Sequence, residues 1–231
     1  MEKNSIIISN DAQMVNFREI RMGNIASHIL YRSSHPIKEN KQEKIVALLA
    51  SSAKIAAVIN LCDNEAEIRT KVIFAPWYNR LYESGLVIAL GMDFNNTSES
   101  YKKKLKKGLL FIIHTNGPWL IHCYAGVDRT GFVLMVLEAF MGASLDDVAN
   151  DYLASFNSGF ESSIYDEAQK VDFFSVIRIL SVMGSSQIIN EQDLHSIAET
   201  YLRSTIGLSI EETKLLKMKL EGKDLCNSVI L

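Results

Sequence analysis

The segment from His122 to Gly131 brings a thiol, a guanidinium group and glycine into a spacing that suits chemistry on an anion. It reads His-Cys-Tyr-Ala-Gly-Val-Asp-Arg-Thr-Gly, with one apolar run before it and another after it. This pattern predicts a strand, a tight loop and a helix. Amides at a helix N-terminus have no intrahelical partners, and with the helix dipole they attract anions. The segment therefore predicts a phosphate-binding loop.

The side chains of this loop indicate what happens to the bound phosphate. Cys123 precedes the predicted helix, a position that favours the nucleophilic thiolate. Arg129 offers two phosphate oxygens a planar fork of donors, and Gly126 allows the backbone to curl around the anion. Thr130 can donate its hydroxyl to the sulfur when a covalent intermediate breaks. The backbone amides expected around the phosphate belong to Tyr124, Ala125, Gly126, Val127, Asp128 and Arg129.

The segment resembles the signature loop of the cysteine-dependent protein tyrosine phosphatase superfamily, His-Cys-x-x-Gly-x-x-Arg-Thr-Gly, at every fixed position. The resemblance implies a phosphomonoester hydrolase that forms a cysteinyl phosphate and needs no metal ion or other cofactor. It also implies that His122 supports the loop through hydrogen bonds. Arsenate reductases share the shorter Cys-x5-Arg spacing, but the flanking His122 and Thr130 disfavour that redox reaction. The non-enzymatic alternative is a phosphate-binding pseudophosphatase, although such proteins generally lose the cysteine, the arginine or the acid.

Two further regions resemble the atypical bacterial tyrosine and lipid phosphatases that some pathogens secrete. Near the N-terminus, Asn-Phe-Arg-Glu at 16–19 is followed by Tyr-Arg-Ser at 31–33, and the C-terminal pattern is Ala-x-x-Tyr-Leu with Gly-Leu-Ser-x-Glu-Glu. Arg32 in this motif either reaches an anionic group of the substrate or forms an ordinary salt bridge. Asn-Leu-Cys at 60–62 resembles a tumour-suppressor phosphoinositide phosphatase, which implies a reversible disulfide between Cys62 and Cys123. A buried free thiol is the alternative.

Two aspartates are candidates for the general acid that protonates the leaving oxygen. Members of this superfamily carry such an aspartate in a mobile loop about thirty residues before the nucleophile, and Asp93 matches that spacing. Asp93 could equally cap the helix that begins near Ser98. Asp128 lies inside the phosphate-binding loop, and the acid of some relatives occupies this position. We favour Asp93, because a group on a closing loop reaches the leaving oxygen without crowding the phosphate.

The loop composition bears on the substrate class. Relatives that act on phosphoinositides often carry lysine where this chain has Val127, so its absence favours a phosphorylated protein, with phosphotyrosine the expected group. Inositol phosphates are the alternative substrate, and dual specificity for phosphoserine depends on pocket depth. Five lysines between residues 102 and 107 indicate a solvated helix face, or a basic rim that gathers anionic substrates.

The elements required to position this loop predict an α/β fold with three layers, a central, mainly parallel sheet flanked by helices. Apolar β-branched runs at 55–59 and 86–90 predict strands, and the apolar spacing at 98–114 and 131–140 predicts helices. The first forty residues predict short strands and loops. We expect one phosphatase domain over residues 1–231, with extra C-terminal helices. Residues 143–190 would form a helical insertion or lid, and residues 191–222 the C-terminal helices.

The overall composition narrows the function classes further. With 231 residues, 48% of them hydrophobic, the chain can bury a full core. A net charge of −3 gives no reason to expect a nucleic-acid partner, and no apolar stretch has membrane-spanning length. Three cysteines suit a reducing compartment, and their spacing suggests no zinc site. We expect a cytoplasmic protein, with unconventional secretion leaving no signal in the sequence; the oligomeric state is not indicated.

Overall fold

A computed structural model describes residues 10–37, 40–157, 173–184 and 194–223. Five strands form one sheet in the order β1-β2-β5-β3-β4. The pair β1 and β2 is antiparallel, and the other neighbouring pairs are parallel. The mainly parallel sheet expected from the sequence is therefore confirmed. The strands are β1 (Arg18–Ile20), β2 (Leu30–Ser33), β3 (Ala57–Asn60), β4 (Val87–Ala89) and β5 (Trp119–His122).

Helices cover both faces of this sheet, as the three-layer prediction requires. Along β3 and β5, Ile59 and Ile121 face one apolar cluster, whereas Val58 and Leu120 face the other. This alternation follows from the two-residue period of a strand. The helices are α1 (Asn40–Ser52), α2 (Glu65–Lys71), α3 (Pro76–Glu83), α4 (Glu99–His114), α5 (Asp128–Phe140), α6 (Leu145–Ala154), α7 (Phe173–Leu180), α8 (Leu194–Thr200) and α9 (Ile210–Leu220).

The two apolar clusters divide the helices between the faces. Residues of α4, α5, α6 and the C-terminal helices pack on one face, and residues of α1, α2 and α3 pack on the other. Helix α5 runs through the centre of the first cluster, and every residue from Thr130 to Phe140 is buried. A helix that is apolar on all sides requires such a position. The helix that follows the expected phosphate-binding loop is thus enclosed on all sides from Thr130 onward.

Local side chains set several helix ends. Helix α4 begins near Ser98 as predicted, and Ser98 itself caps it through the amide of Tyr101, while Ser209 and Glu212 form a capping box at the start of α9. Residues 10–14 form a helical turn where only strands and loops were predicted, so that prediction is wrong there. Residues 158–172 and 185–190 of the expected lid, and residues 191–193 of the expected C-terminal helices, lie outside the described residues. Within the described part, no helix is long and apolar enough to span a membrane.

Candidate active site

The candidate site lies where four parallel strands end at the same edge of the sheet. Strand β5 ends at His122, and α5 begins at Asp128. We call residues 123–129 the phosphate loop. Cys123 is 3% exposed at its start. In parallel α/β sheets this edge holds the ligand, because the connecting loops open there.

Gly126 allows the phosphate loop to pass close to the end of β2. Its φ is +77°, in the left-handed region that favours glycine, and a Cβ atom there would lie 2.4 Å from the Ser33 carbonyl oxygen. A larger residue would therefore both strain the backbone and collide with β2. This fixed position of the sequence motif has a steric explanation.

The carbonyl oxygen of Gly126 is held by two side chains from the N-terminal motif. Arg32 donates Nη2–H to it at 2.6 Å, and Asn16 donates Nδ2–H to it at 3.1 Å. The Arg32 side chain is fully buried and also pairs with Asp151 on α6, with 2.5 Å between Nη1 and Oδ2. Arg32 therefore supports the loop from behind, and of the two roles considered for it the structure displays the salt bridge.

His122 is the buried link between the loop and the helices on the opposite face. Its Nδ1 lies 3.3 Å from the Cys123 carbonyl oxygen, and its Nε2 lies 2.9 Å from the Tyr78 hydroxyl. A neutral ring fits both partners, with Nδ1–H donating to the carbonyl and Nε2 accepting from the hydroxyl. Burial, with a further contribution from His35, lowers the pKa of His122 to about 3. A neutral ring at neutral pH fits a supporting role.

Arg129 projects from the first turn of α5 toward the loop that follows β4. Its Nη1–H donates to the Met92 carbonyl oxygen at 2.9 Å, and its guanidinium carbon lies 4.4 Å from the centre of the Phe94 ring. Its Nε is buried without a hydrogen-bond partner among the described residues. The guanidinium is thereby oriented by a carbonyl and an aromatic ring while a donor remains for an anion. The Thr130 hydroxyl is likewise buried without a described partner.

The two candidate acids belong to different loops of the site. Asp93 is exposed between Met92 and Phe94, and its Oδ1 accepts a hydrogen bond from the Asn95 amide at 2.9 Å. It does not cap α4, a role that belongs to Ser98. Asp128 opens α5 and lines the same cavity as Arg129. Asp128 belongs to the phosphate loop, and Asp93 belongs to the loop after β4 that contacts Arg129. The choice of Asp93 as the acid stays a prediction.

A cavity of about 230 Å³ adjoins Arg129. Aromatic rings form much of its wall, and the Phe94 side chain at its mouth is 70% exposed. Tyr152 of α6 and Ile179 of α7 also line it, so the extra helices contribute to the site. The lining residues are Phe94, Asn96, Tyr101, Asp128, Arg129, Phe132, Tyr152 and Ile179.

The sequence model of the tyrosine phosphatase family matches residues 11–221. The chain belongs to this family. It is a phosphatase of the cysteine-dependent type, and the match includes both the phosphate loop and the Asn16-Phe17-Arg18 segment. No curated protein sequence matches the chain.

Two solved structures are similar to the phosphatase at low sequence identity. One is the core catalytic domain of the PP-IP phosphatase SIW14 from S. cerevisiae in complex with citrate, with 22% identity and a TM-score of 0.43, covering 67% of this chain and 88% of that chain. The other is the Siw14 catalytic core, with 20% identity and a TM-score of 0.39, covering 74% of this chain and 98% of that chain.

Cys62 lies at the same sheet edge of the phosphatase, in the loop after β3. It is a free, partly buried thiol, and its Sγ lies 3.4 Å from Asn60 Oδ1. Burial and then the charge of Asp63 raise the pKa of Cys62 to about 12, and the charge of Cys123 contributes to the same shift. Cys62 is therefore a protonated thiol near Cys123, and its redox role stays a prediction.

Asp63 ties together the loops beside the phosphatase site. Its Oδ2 accepts hydrogen bonds from His35 and Asn60, both at 2.8 Å, and its Oδ1 pairs with Lys71 at 2.5 Å. Although burial opposes ionisation, these hydrogen bonds lower the pKa of Asp63 well below its ordinary value. One ligand atom each from His35, Cys62 and Asp63 lies within 4.8 Å of the others. The hydrogen bonds account for this cluster without a metal ion.

Sequence reasoning missed several residues that support the phosphate loop. Asp151 and Tyr78 lie far from the loop in the chain, and nothing in their local sequence indicates a role in the site. Glu138 lies beside Asp151 and not against the loop. It did carry a signal, because it is a lone carboxylate in the apolar run that follows Thr130. Asn16 stood in a recognised motif, but only the fold reveals that it contacts the Gly126 carbonyl.

Proposed function

We propose that this phosphatase hydrolyses phosphotyrosine in proteins through a cysteinyl-phosphate intermediate. The observation that carries the proposal is the cavity beside Arg129, whose wall includes the rings of Phe94, Tyr101, Phe132 and Tyr152. A phenyl ring gains both burial and favourable ring geometry against such a wall. The phosphate ester of tyrosine therefore matches the cavity and its guanidinium group together.

The charge of the cavity supports a substrate with one phosphate group over an inositol polyphosphate. Among the described residues that line it, Arg129 is the only cation, and Asp128 is an opposing carboxylate. No lysine of α4 lines the cavity. The ammonium groups of Lys104 and Lys106 are instead directed to the Gly91 and Gly207 carbonyls. A polyanion requires several unpaired cations to replace the water that it loses on binding. Val127 in the loop supplies none.

In the proposed reaction the Cys123 thiolate attacks phosphorus in line, forming the sulfur–phosphorus bond as the bond to the tyrosine oxygen breaks. Arg129 and the loop amides stabilise the charge on the equatorial oxygens. Asp93 or Asp128 protonates the leaving oxygen. Water then attacks the cysteinyl phosphate, losing a proton to the same carboxylate, and the products are free phosphate and the Cys123 thiolate. Thr130 hydrogen-bonds the departing sulfur.

Phosphate release from four substrates tests the proposal in one assay. The substrates are a phosphotyrosine peptide, a phosphoserine peptide, a monophosphorylated phosphoinositide and inositol hexakisphosphate, each also tested with Cys123→Ser. We expect the phosphotyrosine peptide to be preferred by about tenfold or more, and release to disappear in the variant. Preference for either inositol compound would overturn the substrate assignment. No release from any substrate by a folded protein that binds phosphate would indicate a pseudophosphatase.

The aromatic wall provides a second arm of the same experiment. Phe94→Ala removes the ring that lies against Arg129, so we expect a larger loss on the phosphotyrosine peptide than on the phosphoserine peptide. Leu48→Ala is a suitable control, because that apolar side chain is 64% exposed on α1. Equal losses of activity on both peptides would argue against an aromatic slot.

A further inference from the structure

Four ionisable side chains form a buried cluster behind the phosphate loop. Arg32 and Glu138 have no exposed surface, and Asp151 is 5% exposed. Arg18 joins the cluster with its Nε 2.8 Å from Asp151 Oδ1, and Arg32 Nη1 lies 2.5 Å from Asp151 Oδ2. The members come from β1, β2, α5 and α6. Buried charges of this kind are costly unless they are paired, so their arrangement requires an explanation.

The two carboxyl groups of the cluster occupy different protonation states. Burial, and then the negative charge of Asp151, raise the pKa of Glu138 well above its ordinary value. Burial also disfavours ionisation of Asp151, but the guanidinium groups of Arg32 and Arg18 lower its pKa. The pair therefore holds one negative charge, on Asp151. The protonated Glu138 carboxyl group can donate its hydrogen to the Asp151 carboxylate, an interaction that adds to the raised pKa of Glu138.

The cluster contacts the phosphate loop at one atom, the Gly126 carbonyl oxygen. Arg32 Nη2 and Asn16 Nδ2 both donate to it, at 2.6 Å and 3.1 Å. Because a peptide unit is planar and trans, the Val127 N–H points opposite to this carbonyl. The two donors behind the loop therefore aim the Val127 N–H away from the cluster. Gly126 has the backbone freedom to turn this peptide over if the donors are lost.

We propose that Asp151 is a positioning residue for the phosphatase reaction, acting through Arg32 to hold the Gly126–Val127 peptide in the orientation that binds phosphate. Asp151 itself lies on α6, beyond the strand–loop–helix unit that carries the chemistry. It fixes one end of the Arg32 guanidinium, so that the other end stays on the Gly126 carbonyl. Arg18 binds the other oxygen of Asp151, and Asn16 donates to the Gly126 carbonyl. Both residues of the N-terminal motif thus help to hold the loop.

A set of variants separates positioning from stability alone. Asp151→Ala removes Oδ2, which holds Arg32, and Oδ1, which holds Arg18, and we expect kcat/KM for para-nitrophenyl phosphate and affinity for inorganic phosphate to fall about ten- to a hundredfold together. Asp151→Asn retains an acceptor, and Glu138 can ionise beside the two arginines once its charged neighbour is gone. We therefore expect Asp151→Asn to keep most of the wild-type kcat/KM and most of the wild-type affinity for phosphate.

Glu138→Gln tests the second half of this argument. Alone it replaces a neutral acid with a neutral amide, so we expect activity and phosphate affinity within about twofold of the wild type. Combined with Asp151→Asn it removes the only remaining acid of the cluster, and the double variant should lose both quantities as Asp151→Ala does. Asp146→Ala is the matched control, because Asp146 is an exposed aspartate on the same helix.

Two outcomes would overturn the proposal, with folding of every variant checked by thermal unfolding. One is a folded double variant with wild-type affinity for phosphate. The other is a series in which the midpoint of unfolding falls while the phosphate affinity of the folded protein stays constant. Should Asp151→Ala fail to fold, the proposal is still tested by Asp151→Asn, Glu138→Gln and the double variant. The inference rests on phosphate binding at this loop and not on tyrosine specificity, because its two readouts use a generic ester and inorganic phosphate.

Discussion

Asp93 and Asp128 are the two candidates for the acid that protonates the leaving oxygen, and each has surroundings that suit this role. Asp93 is exposed in a loop whose neighbouring residues contact Arg129 through the Met92 carbonyl and the Phe94 ring. Asp128 is fixed in the first turn of α5 and lines the cavity. A more basic leaving group depends more strongly on protonation by the acid. Substrates with different leaving groups therefore distinguish the acid from a residue that only supports the loop.

We expect Asp93→Asn to lower kcat about a hundredfold on a phosphotyrosine peptide but only severalfold on para-nitrophenyl phosphate. The nitrophenolate leaves without full protonation, so it bypasses the missing acid. Asp128→Asn should lower both rates by a similar factor if it only supports the loop. Steady-state kinetics of the two variants on the two substrates checks this. The reverse pattern would assign the acid to Asp128.

Cys62 leads to a prediction about oxidation at the residue scale. Peroxide converts the Cys123 thiolate to a sulfenic acid, and the Cys62 thiol can then displace water to form a disulfide, so that the protein loses two hydrogen atoms overall and peroxide is reduced to water. Since its pKa is raised to about 12, Cys62 suits the role of resolving thiol and not that of the first target. Intact mass after mild peroxide should reveal this loss in the wild type and not in Cys62→Ser. Activity should return with a thiol reductant.

If the wild type does not lose two hydrogen atoms and Cys123 is oxidised further instead, Cys62 is a buried structural thiol. The third cysteine, Cys226, lies outside the described residues. Cys226→Ser therefore belongs in the experiment as the matched control.

At the scale of elements, α4 reaches across to the loop that carries Asp93. Lys104 Nζ donates to the Gly91 carbonyl at 2.5 Å, at the start of that loop. The loop is thus anchored at Gly91 by α4 and at Met92 by Arg129. Both acceptors are backbone carbonyls of the loop, so these contacts position the loop whatever its side chains are.

We expect Lys104→Met to lower kcat about three- to tenfold while changing the free energy of unfolding by less than about 1 kcal/mol. Methionine retains the apolar stem and removes only the ammonium donor. Lys103→Met is the matched control, because Lys103 is an exposed neighbour on the same helix. Kinetics together with denaturant unfolding checks both quantities. Equal kinetics for the two variants would contradict a role for this anchor.

At the scale of the whole molecule, the buried His122 couples folding to pH. Unfolded histidine takes up a proton near pH 6.5, whereas burial lowers the pKa of His122 to about 3 in the folded protein. Between these values the unfolded state binds one more proton. The contribution of His122 to stability is therefore lost as pH falls from about 6.5 toward 3, by roughly 1 kcal/mol for each pH unit.

Asp63 and Asp151, whose pKa values are lowered in the fold, add losses of the same sign at acidic pH, whereas Glu138, whose pKa is raised, contributes the opposite sign. The difference between the wild type and a variant isolates the histidine. We expect His122→Gln to be less stable than the wild type at pH 7, and this difference in stability to shrink as pH falls from 6.5 to about 4. His114→Gln, at the exposed end of α4, should keep the wild-type slope. Denaturant unfolding at several pH values measures these slopes, and parallel curves for wild type and His122→Gln would refute the coupling.

Much of the fold follows from patterns that act over short distances in the chain. The apolar runs of β3 and β5 indicated those strands, and the apolar spacing after Ser98 indicated α4, because strand burial and helix periodicity depend on neighbouring residues. The local signal failed at residues 10–14, where a helical turn precedes the first strand. It also gave no indication that the lysines of α4 would pair with distant carbonyls, since those contacts require the packed helices.

The sequence by itself determined the reaction centre, because Cys123, Gly126 and Arg129 lie within one loop whose curvature and helix N-terminus are local properties. It also determined the mainly parallel α/β arrangement that this loop requires. Only the tertiary structure decided that Arg32 faces Asp151 and Gly126, and that aromatic residues of four separate segments line one cavity. Contacts such as that of Arg18 with Asp151 join residues 133 positions apart, and no local pattern encodes which buried charges will meet once the helices pack.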